Sequence, residues 1–152
     1  PVINRGFGGA QIVHVNNHLE EIVFPYKPKA IVFYCGSNDL AGLKTPEEVF
    51  IDFQYFLRAI SQDLPGAKLF VIGVKPSPSR EYQKNKQISL NNMIRNLSNT
   101  NDSLYFLDVR PSMLLTTGKA DPSLFVKDML HMNKKGYEVW TEIVKTALIE
   151  NL

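Results

Sequence analysis

Three short runs of consecutive apolar residues, separated by longer segments with helical periodicity, place the strongest constraint on the fold of this chain. The runs cover residues 30–35, 69–74 and 104–109 and are rich in β-branched and aromatic side chains. Such runs are typical of strands that are buried on both faces of a parallel sheet. Residues 2–4 look like the end of a fourth strand. Because strands and helices alternate, we expect an α/β fold, a three-layer α/β/α sandwich around a parallel sheet.

The segments between these runs carry the signals of four helices. Apolar residues recur at helical spacing within 12–22, 49–60, 88–97 and 137–148. The second helix has the clearest boundaries, because Thr45 can cap it, Pro46 can occupy its first position, and a Pro-Gly pair at 65–66 follows its end. The last helix is expected to begin after Asn133. Its buried face would comprise Tyr137, Trp140, Val144 and Leu148.

Length and charge exclude several classes of protein. The 152 residues suit one domain spanning 1–152, and a net charge of +2 with scattered basic residues does not favour nucleic acid as a partner. Cys35 is the only cysteine, so no internal disulfide can form, but a single thiol leaves the cellular compartment open. No apolar stretch approaches the roughly 20 residues of a membrane-spanning helix.

Ligands of open parallel sheets bind at the carboxyl ends of the strands, so the loops at that edge are the places to look for chemistry. The first such loop contains glycines at positions 6, 8 and 9. A dinucleotide-binding loop would also need glycine at the position of Gln11, and the Gly-Lys-Ser/Thr ending of a phosphate-binding loop is absent. The loop therefore either binds a different anion or simply makes a tight turn.

Two further loops carry polar side chains. The sequence Gly-Ser-Asn-Asp at 36–39 follows the first apolar run and places the Asn38 amide, a donor of two hydrogen bonds, at the sheet edge. Asp128 and His131 lie three residues apart before the last helix. In a tight turn this aspartate can bind the imidazole Nδ1 and leave Nε2 free as a base. Taken alone, the first motif is more often a turn former and the second more often includes a structural histidine.

Together, Gly9, the Gly-Ser-Asn-Asp loop and the Asp128 to His131 segment resemble the SGNH hydrolases, also called GDSL esterases and lipases. The stretches 75–80 and 131–137 also look like those of bacterial members. The resemblance implies the flavodoxin-like SGNH fold and a serine esterase or lipase acting on a carboxylic ester through an acyl-enzyme. It implies that Asp128 and His131 assist the serine, that Gly9 and Asn38 form the oxyanion hole, and that no metal or organic cofactor takes part.

The family's Gly-Asp-Ser motif, which supplies the nucleophile at the end of the central first strand, has no counterpart in this sequence. None of the serines at 37, 77, 79 and 123 is a convincing substitute. We therefore expect an N-terminal segment of the same protein to supply the serine and the central strand, and residues 1–152 alone to be inactive. The alternatives are a non-catalytic module that keeps the fold and binds its ligand, and a flavodoxin-like domain that binds flavin.

The substrate is expected to be a small ester, such as an acetylated carbohydrate, a short-chain ester or a lysophospholipid. The same catalytic groups suit all of these compounds. Arg5 and Arg80 lie in loops at the presumed ligand-binding edge, where either guanidinium can meet an acidic group of the substrate. The more common alternative for each is a solvated side chain.

Overall fold

The computed structural model describes all residues from Pro1 to Leu152 and contains one three-stranded sheet. The strands are β1 (Ala30–Phe33), β2 (Lys68–Ile72) and β3 (Leu104–Leu107). They are parallel, in the order β1-β2-β3, and Phe70 of β2 lies opposite Val32 on one side and Tyr105 on the other. The three predicted strands are thus confirmed, and each ends two residues before its apolar run does.

Six α-helices precede, connect and follow the strands. They are α1 (Ile12–Asn17), α2 (Leu19–Ile22), α3 (Ser37–Ala41), α4 (Pro46–Asp63), α5 (Lys84–Ser98) and α6 (Lys134–Asn151). None combines the length and apolar composition needed to cross a bilayer. The predicted caps form: the Thr45 hydroxyl accepts a bond from Glu48 N at 3.2 Å, and the Asn133 side chain accepts one from Gly136 N at 3.1 Å. Short 3₁₀ segments at Pro78–Gln83 and Pro122–Leu124 precede α5 and α6.

Alternate side chains of β2 enter two apolar cores on opposite faces of the sheet. Leu69 and Val71 belong to the core formed with α1, α4 and α5, whereas Phe70 and Ile72 belong to the core against which α6 packs. This alternation follows from the two-residue period of a strand. The sheet is therefore the middle of three layers, as the sequence predicts.

The prediction of a strand at residues 2–4 is wrong. These residues are exposed, with Val2 at 101% and Ile3 at 50%, and no strand lies beside them. An extended segment forms a strand only when a neighbour accepts and donates its backbone hydrogen bonds. The edge of β1 that faces away from β2 is likewise unpaired, and Val32 on this strand is 44% exposed. The prediction that all three strands are buried on both faces therefore fails for β1.

Two helix predictions also need correction. The segment 12–22 is two helices, because the chain leaves helical geometry at His18 (φ −117°, ψ 10°). The break follows Asn16 and Asn17, and asparagine is a weak helix former; the Asn16 amide instead donates to the α4 backbone at Asp52 O, at 3.0 Å. Tyr137 does not belong to the buried face of α6, since it is 56% exposed.

Gly136 decides which face of α6 is buried. It packs so closely that a Cβ placed there would lie 2.5 Å from the carbonyl oxygen of Leu124 and 2.8 Å from Cβ of Met132. The residues four and seven positions further along, Trp140 and Ile143, share the glycine's face and pack against the core. Tyr137, one position along, is rotated away from that face.

Candidate active site

A tight turn between Pro122–Leu124 and α6 brings Asp128 and His131 together. The turn is closed by a bridge between Phe125 and Met132 and by a bond from Val126 N to His131 O at 2.9 Å. Its tip is Met129, whose φ of 57° lies in the left-handed region. This conformation is uncommon for a residue with a side chain and reverses the chain direction within few residues.

The Asp128 carboxylate accepts three hydrogen bonds inside this turn. Oδ2 lies 2.6 Å from His131 Nδ1, and Oδ1 accepts from the backbone N–H groups of Leu130 and His131, both at 2.9 Å. The bond to the imidazole, followed by the two backbone bonds, lowers the pKa of Asp128 to about 2. A carboxylate that stays ionised on Nδ1 orients the ring and favours the tautomer with a basic Nε2.

The second nitrogen of His131 is free to act on another molecule or segment. Nε2 forms no hydrogen bond within the chain, and 74% of the side chain is exposed. No serine hydroxyl of residues 1–152 bonds to it: the hydroxyl of Ser37 bonds to Arg80 and Gln83, and that of Ser123 to Lys135. The structure thus offers an oriented base without a hydroxyl beside it.

Asn38 bonds to the glycine loop that contains Gly9. Asn38 is in the first turn of α3, directly after β1, and its Nδ2 donates to the carbonyl of Ala10 at 3.1 Å. One amide N–H is used by that bond, which leaves a second N–H for a ligand. Gly9, with φ of 70°, precedes Ala10, and the space where its Cβ would lie is open.

Two further side chains, which the sequence analysis did not assign to the site, fix this glycine loop. The buried carboxylate of Asp39 accepts from Ile12 N at 3.0 Å, and the thiol of Cys35 donates to Ala10 O at 3.5 Å. Burial raises the pKa of the Asp39 carboxyl and raises the pKa of the Cys35 thiol to about 12. Both groups hold backbone in place, and the thiol is not activated as a nucleophile.

The 3₁₀ segment Pro78–Gln83 connects the two halves of the site. Ser79 N donates to Met129 O at 3.1 Å, and the Arg80 guanidinium donates to Ser37 Oγ at 2.6 Å. The buried Gln83 side chain donates to the same hydroxyl at 3.3 Å. One segment therefore contacts both the turn that carries His131 and the helix that carries Asn38. The sequence places this segment after a strand, at the edge where a ligand site is expected. No spacing in the sequence, however, identifies Ser37 as the partner of both Arg80 and Gln83.

Lys75 lies at the end of β2 beside this segment and is almost completely buried. Only 8% of the residue is exposed, and its Nζ donates to the Tyr34 hydroxyl at 3.3 Å. Burial, with the nearby Arg80 charge as the next cause, lowers the pKa of Lys75 to about 8. Burial also raises the pKa of Tyr34. In the sequence, only its place in the stretch 75–80 marks this lysine.

Two other features, the Arg5 side chain and a surface depression, do not involve the predicted site residues. The guanidinium of Arg5 is stacked over the Tyr26 ring, 4.4 Å from its centroid. A surface depression of about 560 Å³ lies along β3 and the end of α6. It is lined by Ser98, Asn101, Asp102, Leu104, Tyr105, Phe106, Leu107, Ala147, Glu150 and Asn151, and so includes none of the predicted site residues.

The fold closely matches those of solved hydrolases. A GDSL-like lipase from Bacteroides thetaiotaomicron superimposes with a TM-score of 0.85 at 24% identity, over 99% of this chain and 76% of that one. A carbohydrate esterase family 3 protein from Talaromyces cellulolyticus superimposes with a TM-score of 0.80 at 18% identity, over 95% of this chain and 69% of that one. At these identities the likeness establishes the fold.

The sequence comparisons establish the family. The platelet-activating factor acetylhydrolase IB subunit alpha2 of Gallus gallus is 35% identical to this chain over 97 residues. The alignment covers 57% of this chain and 39% of that subunit, or about two fifths of the relative's length. The profile of the GDSL-like Lipase/Acylhydrolase family matches residues 1–139. Because this match spans most of the chain and agrees with the fold, the protein belongs to the GDSL-like lipase and acylhydrolase family.

Proposed function

We propose that this protein is a serine hydrolase that cleaves a carboxylic ester through an acyl-enzyme. The observation that carries the proposal is the Asp128 to His131 hydrogen bond of 2.6 Å, which leaves Nε2 exposed and without a partner. This is the arrangement that a general base next to a hydroxyl nucleophile requires. The acylhydrolase family and the esterase folds that the chain matches support the same reaction class.

In the proposed reaction, His131 Nε2 takes the proton of a serine hydroxyl while the serine oxygen attacks the ester carbonyl carbon. The tetrahedral intermediate carries a negative oxygen, to which the free N–H of the Asn38 amide and the backbone N–H of Gly9 donate. Collapse of the intermediate breaks the bond to the alcohol, which leaves with the proton from His131. Water then attacks the acyl-enzyme by the same route and releases the carboxylic acid.

We propose further that the nucleophile lies outside residues 1–152, on a strand that pairs with the open edge of β1. Two observations support this placement. The serine hydroxyls at 37 and 123 bond elsewhere, and β1 has a neighbour on only one side. A strand on that open edge would end close to Asn38, since parallel strands present their carboxyl ends at the same side of the sheet.

The proposal is tested with the full-length protein and 4-nitrophenyl acetate. We expect Asn38→Ala to lower kcat by about 10²–10³-fold, as loss of one oxyanion donor does in other hydrolases. The matched control is Asn92→Ala, since Asn92 is exposed on α5 and its side chain accepts a bond only from Arg95. Its kcat should equal that of the parent.

A fluorophosphonate probe gives an independent result, since it labels an activated serine without turnover. We expect the mass of the full-length protein to increase by one adduct, and His131→Ala to abolish labelling. A full-length protein that neither hydrolyses short esters nor reacts with the probe contradicts the proposal and favours the non-catalytic binding module.

A further inference from the structure

Two positive side chains at the candidate site form no ion pair with a carboxylate. Lys75 and Arg80 both follow β2, and neither is among the side chains that form ion pairs with a carboxylate. Lys75 is also more than nine-tenths buried. A buried ammonium that forms no ion pair is unfavourable, because it has lost hydration. The charge of Asp128 favours the protonated lysine, but its effect is smaller than that of burial.

Both side chains retain unused hydrogen-bond donors. The Lys75 ammonium has three donors, and the Tyr34 hydroxyl is the one acceptor bonded to it. Arg80 uses Nη1 for the Ser37 hydroxyl, and the remaining donors of its guanidinium have no acceptor in the chain. The Arg80 charge contributes to the lowered pKa of Lys75, which is consistent with two cations near each other. An anion between them would relieve that repulsion.

The positions of these cations relate them to the proposed reaction. Arg80 bonds to Ser37, the residue before Asn38, and its neighbour Ser79 bonds to the turn that carries His131. Tyr34, the partner of Lys75, directly follows β1, the strand that leads to Asn38. An ester whose carbonyl is bound by Asn38 would therefore have its adjoining atoms near the two cations.

We propose that Lys75 and Arg80 form an anion-binding subsite that selects esters carrying a carboxylate or phosphate group close to the scissile bond. This inference rests on the proposed function. Arginine binds such planar or tetrahedral oxyanions through two parallel N–H bonds, and the lysine supplies a point charge beside it.

Kinetics with two matched ester pairs test the subsite and locate the anion. The first pair, mono-4-nitrophenyl succinate and 4-nitrophenyl butyrate, differs by a carboxylate in the acyl part. The second pair, the acetate ester of glycerol 3-phosphate and that of glycerol, differs by a phosphate in the alcohol part. We expect the full-length protein to prefer the charged member of one pair by about tenfold or more in kcat/KM.

Lys75→Met should reduce that preference to near unity, because methionine keeps the length of the side chain and removes its charge. Arg80→Lys should reduce it in part, since the charge remains and the paired donors are lost. The control is Lys145→Met on the exposed surface of α6, which should leave the preference intact. Equal rates for both members of both pairs in the parent protein would overturn the subsite.

Binding of inorganic phosphate, measured by titration calorimetry, separates the subsite from the proposed function. If no ester is hydrolysed but phosphate binds the full-length protein and Lys75→Met abolishes binding, the subsite stands and the hydrolase proposal fails. If the neutral esters are hydrolysed but phosphate does not bind, the hydrolase proposal stands and the subsite is wrong. Calorimetry on the parent protein decides the second case even where Lys75→Met does not fold.

Discussion

At the scale of single residues, the candidate site depends on how one carboxylate is held. Asp128 accepts from the His131 ring and from two backbone N–H groups, so its position is fixed by the turn itself although the pair is exposed. Exposed ion pairs contribute little to stability because water screens them. We therefore expect this pair to matter for the orientation of the imidazole and not for the stability of the fold.

Replacing the carboxylate tests this role. We expect Asp128→Asn to lower kcat of the full-length protein by about 10³–10⁴-fold, because an amide no longer fixes the tautomer with a basic Nε2. The matched control is Asp102→Asn in the exposed loop before β3, which should retain full activity. A kcat within threefold of the parent for Asp128→Asn would mean that the aspartate does not orient the base.

The lowered pKa of Asp128, about 2, predicts a pH dependence. Because the folded-state pKa lies below the unfolded value of about 4, the ionised carboxylate favours the folded state fully above pH 4. This contribution is lost as the pH falls through about 2. A carboxyl ¹³C titration should show a midpoint near 2 for Asp128, and a midpoint near 4 would show that the three hydrogen bonds do not form in solution.

At the scale of elements, one face of α5 carries buried amides where apolar residues are usual. Gln87 and Asn91 are almost fully buried, and Gln83 lies one turn before Gln87, just ahead of the helix. The Asn91 side chain accepts from Val74 N at 2.8 Å and donates to Val74 O at 3.2 Å. It thereby satisfies the backbone of the loop that leads from β2 to Lys75.

Truncating this amide should destabilise the protein. We expect Asn91→Ala to lower the free energy of unfolding by about 2–4 kcal/mol, because a backbone N–H and a C=O lose their partner inside the core. Asn92→Ala on the exposed face of the same helix should change it by less than about 0.5 kcal/mol. Urea denaturation measures both, and equal effects would show that water replaces the Asn91 amide.

The helices and strands also show which features of the structure can be predicted from the sequence. Strand and helix patterns predict the sheet, α4 and the caps at Thr45 and Asn133, because these depend on local spacing. The orientation of α6 could not be predicted, since it depends on the close contact of Gly136 and a glycine adds nothing to a hydrophobic pattern. The bond between Arg80 and Ser37 was equally inaccessible, because it joins residues 43 positions apart.

At the scale of the whole molecule, the sheet is asymmetric. β2 is hydrogen-bonded on both sides and carries side chains of both cores, whereas β1 and β3 have one partner each. Of these two edge strands, only β1 has an exposed residue, Val32. An edge strand leaves backbone N–H and C=O groups available to pair with another strand. This asymmetry is the main structural support for a further strand beside β1.

Hydrogen exchange should report the asymmetry directly. In the 152-residue chain, we expect amides of β2 to exchange at the rate of global unfolding, while those of β1 that face the open edge exchange much faster. In a protein that carries the proposed further strand, the exchange of these β1 amides should slow toward that of β2. Unchanged exchange at β1 between the two proteins would refute pairing of another strand at this edge.

The contact of Gly136 with the Leu124 carbonyl has a consequence for the segment that carries Asp128 and His131. The backbone at position 124 is in close contact with the backbone at position 136, so the segment between them forms a loop that is closed at its base. A methyl group at position 136 would push the helix away from the Leu124 carbonyl. We expect Gly136→Ala to lower kcat by displacing the His131 imidazole and to disturb the core beside α6, which includes Leu124 and Met132, while the opposite core keeps its packing.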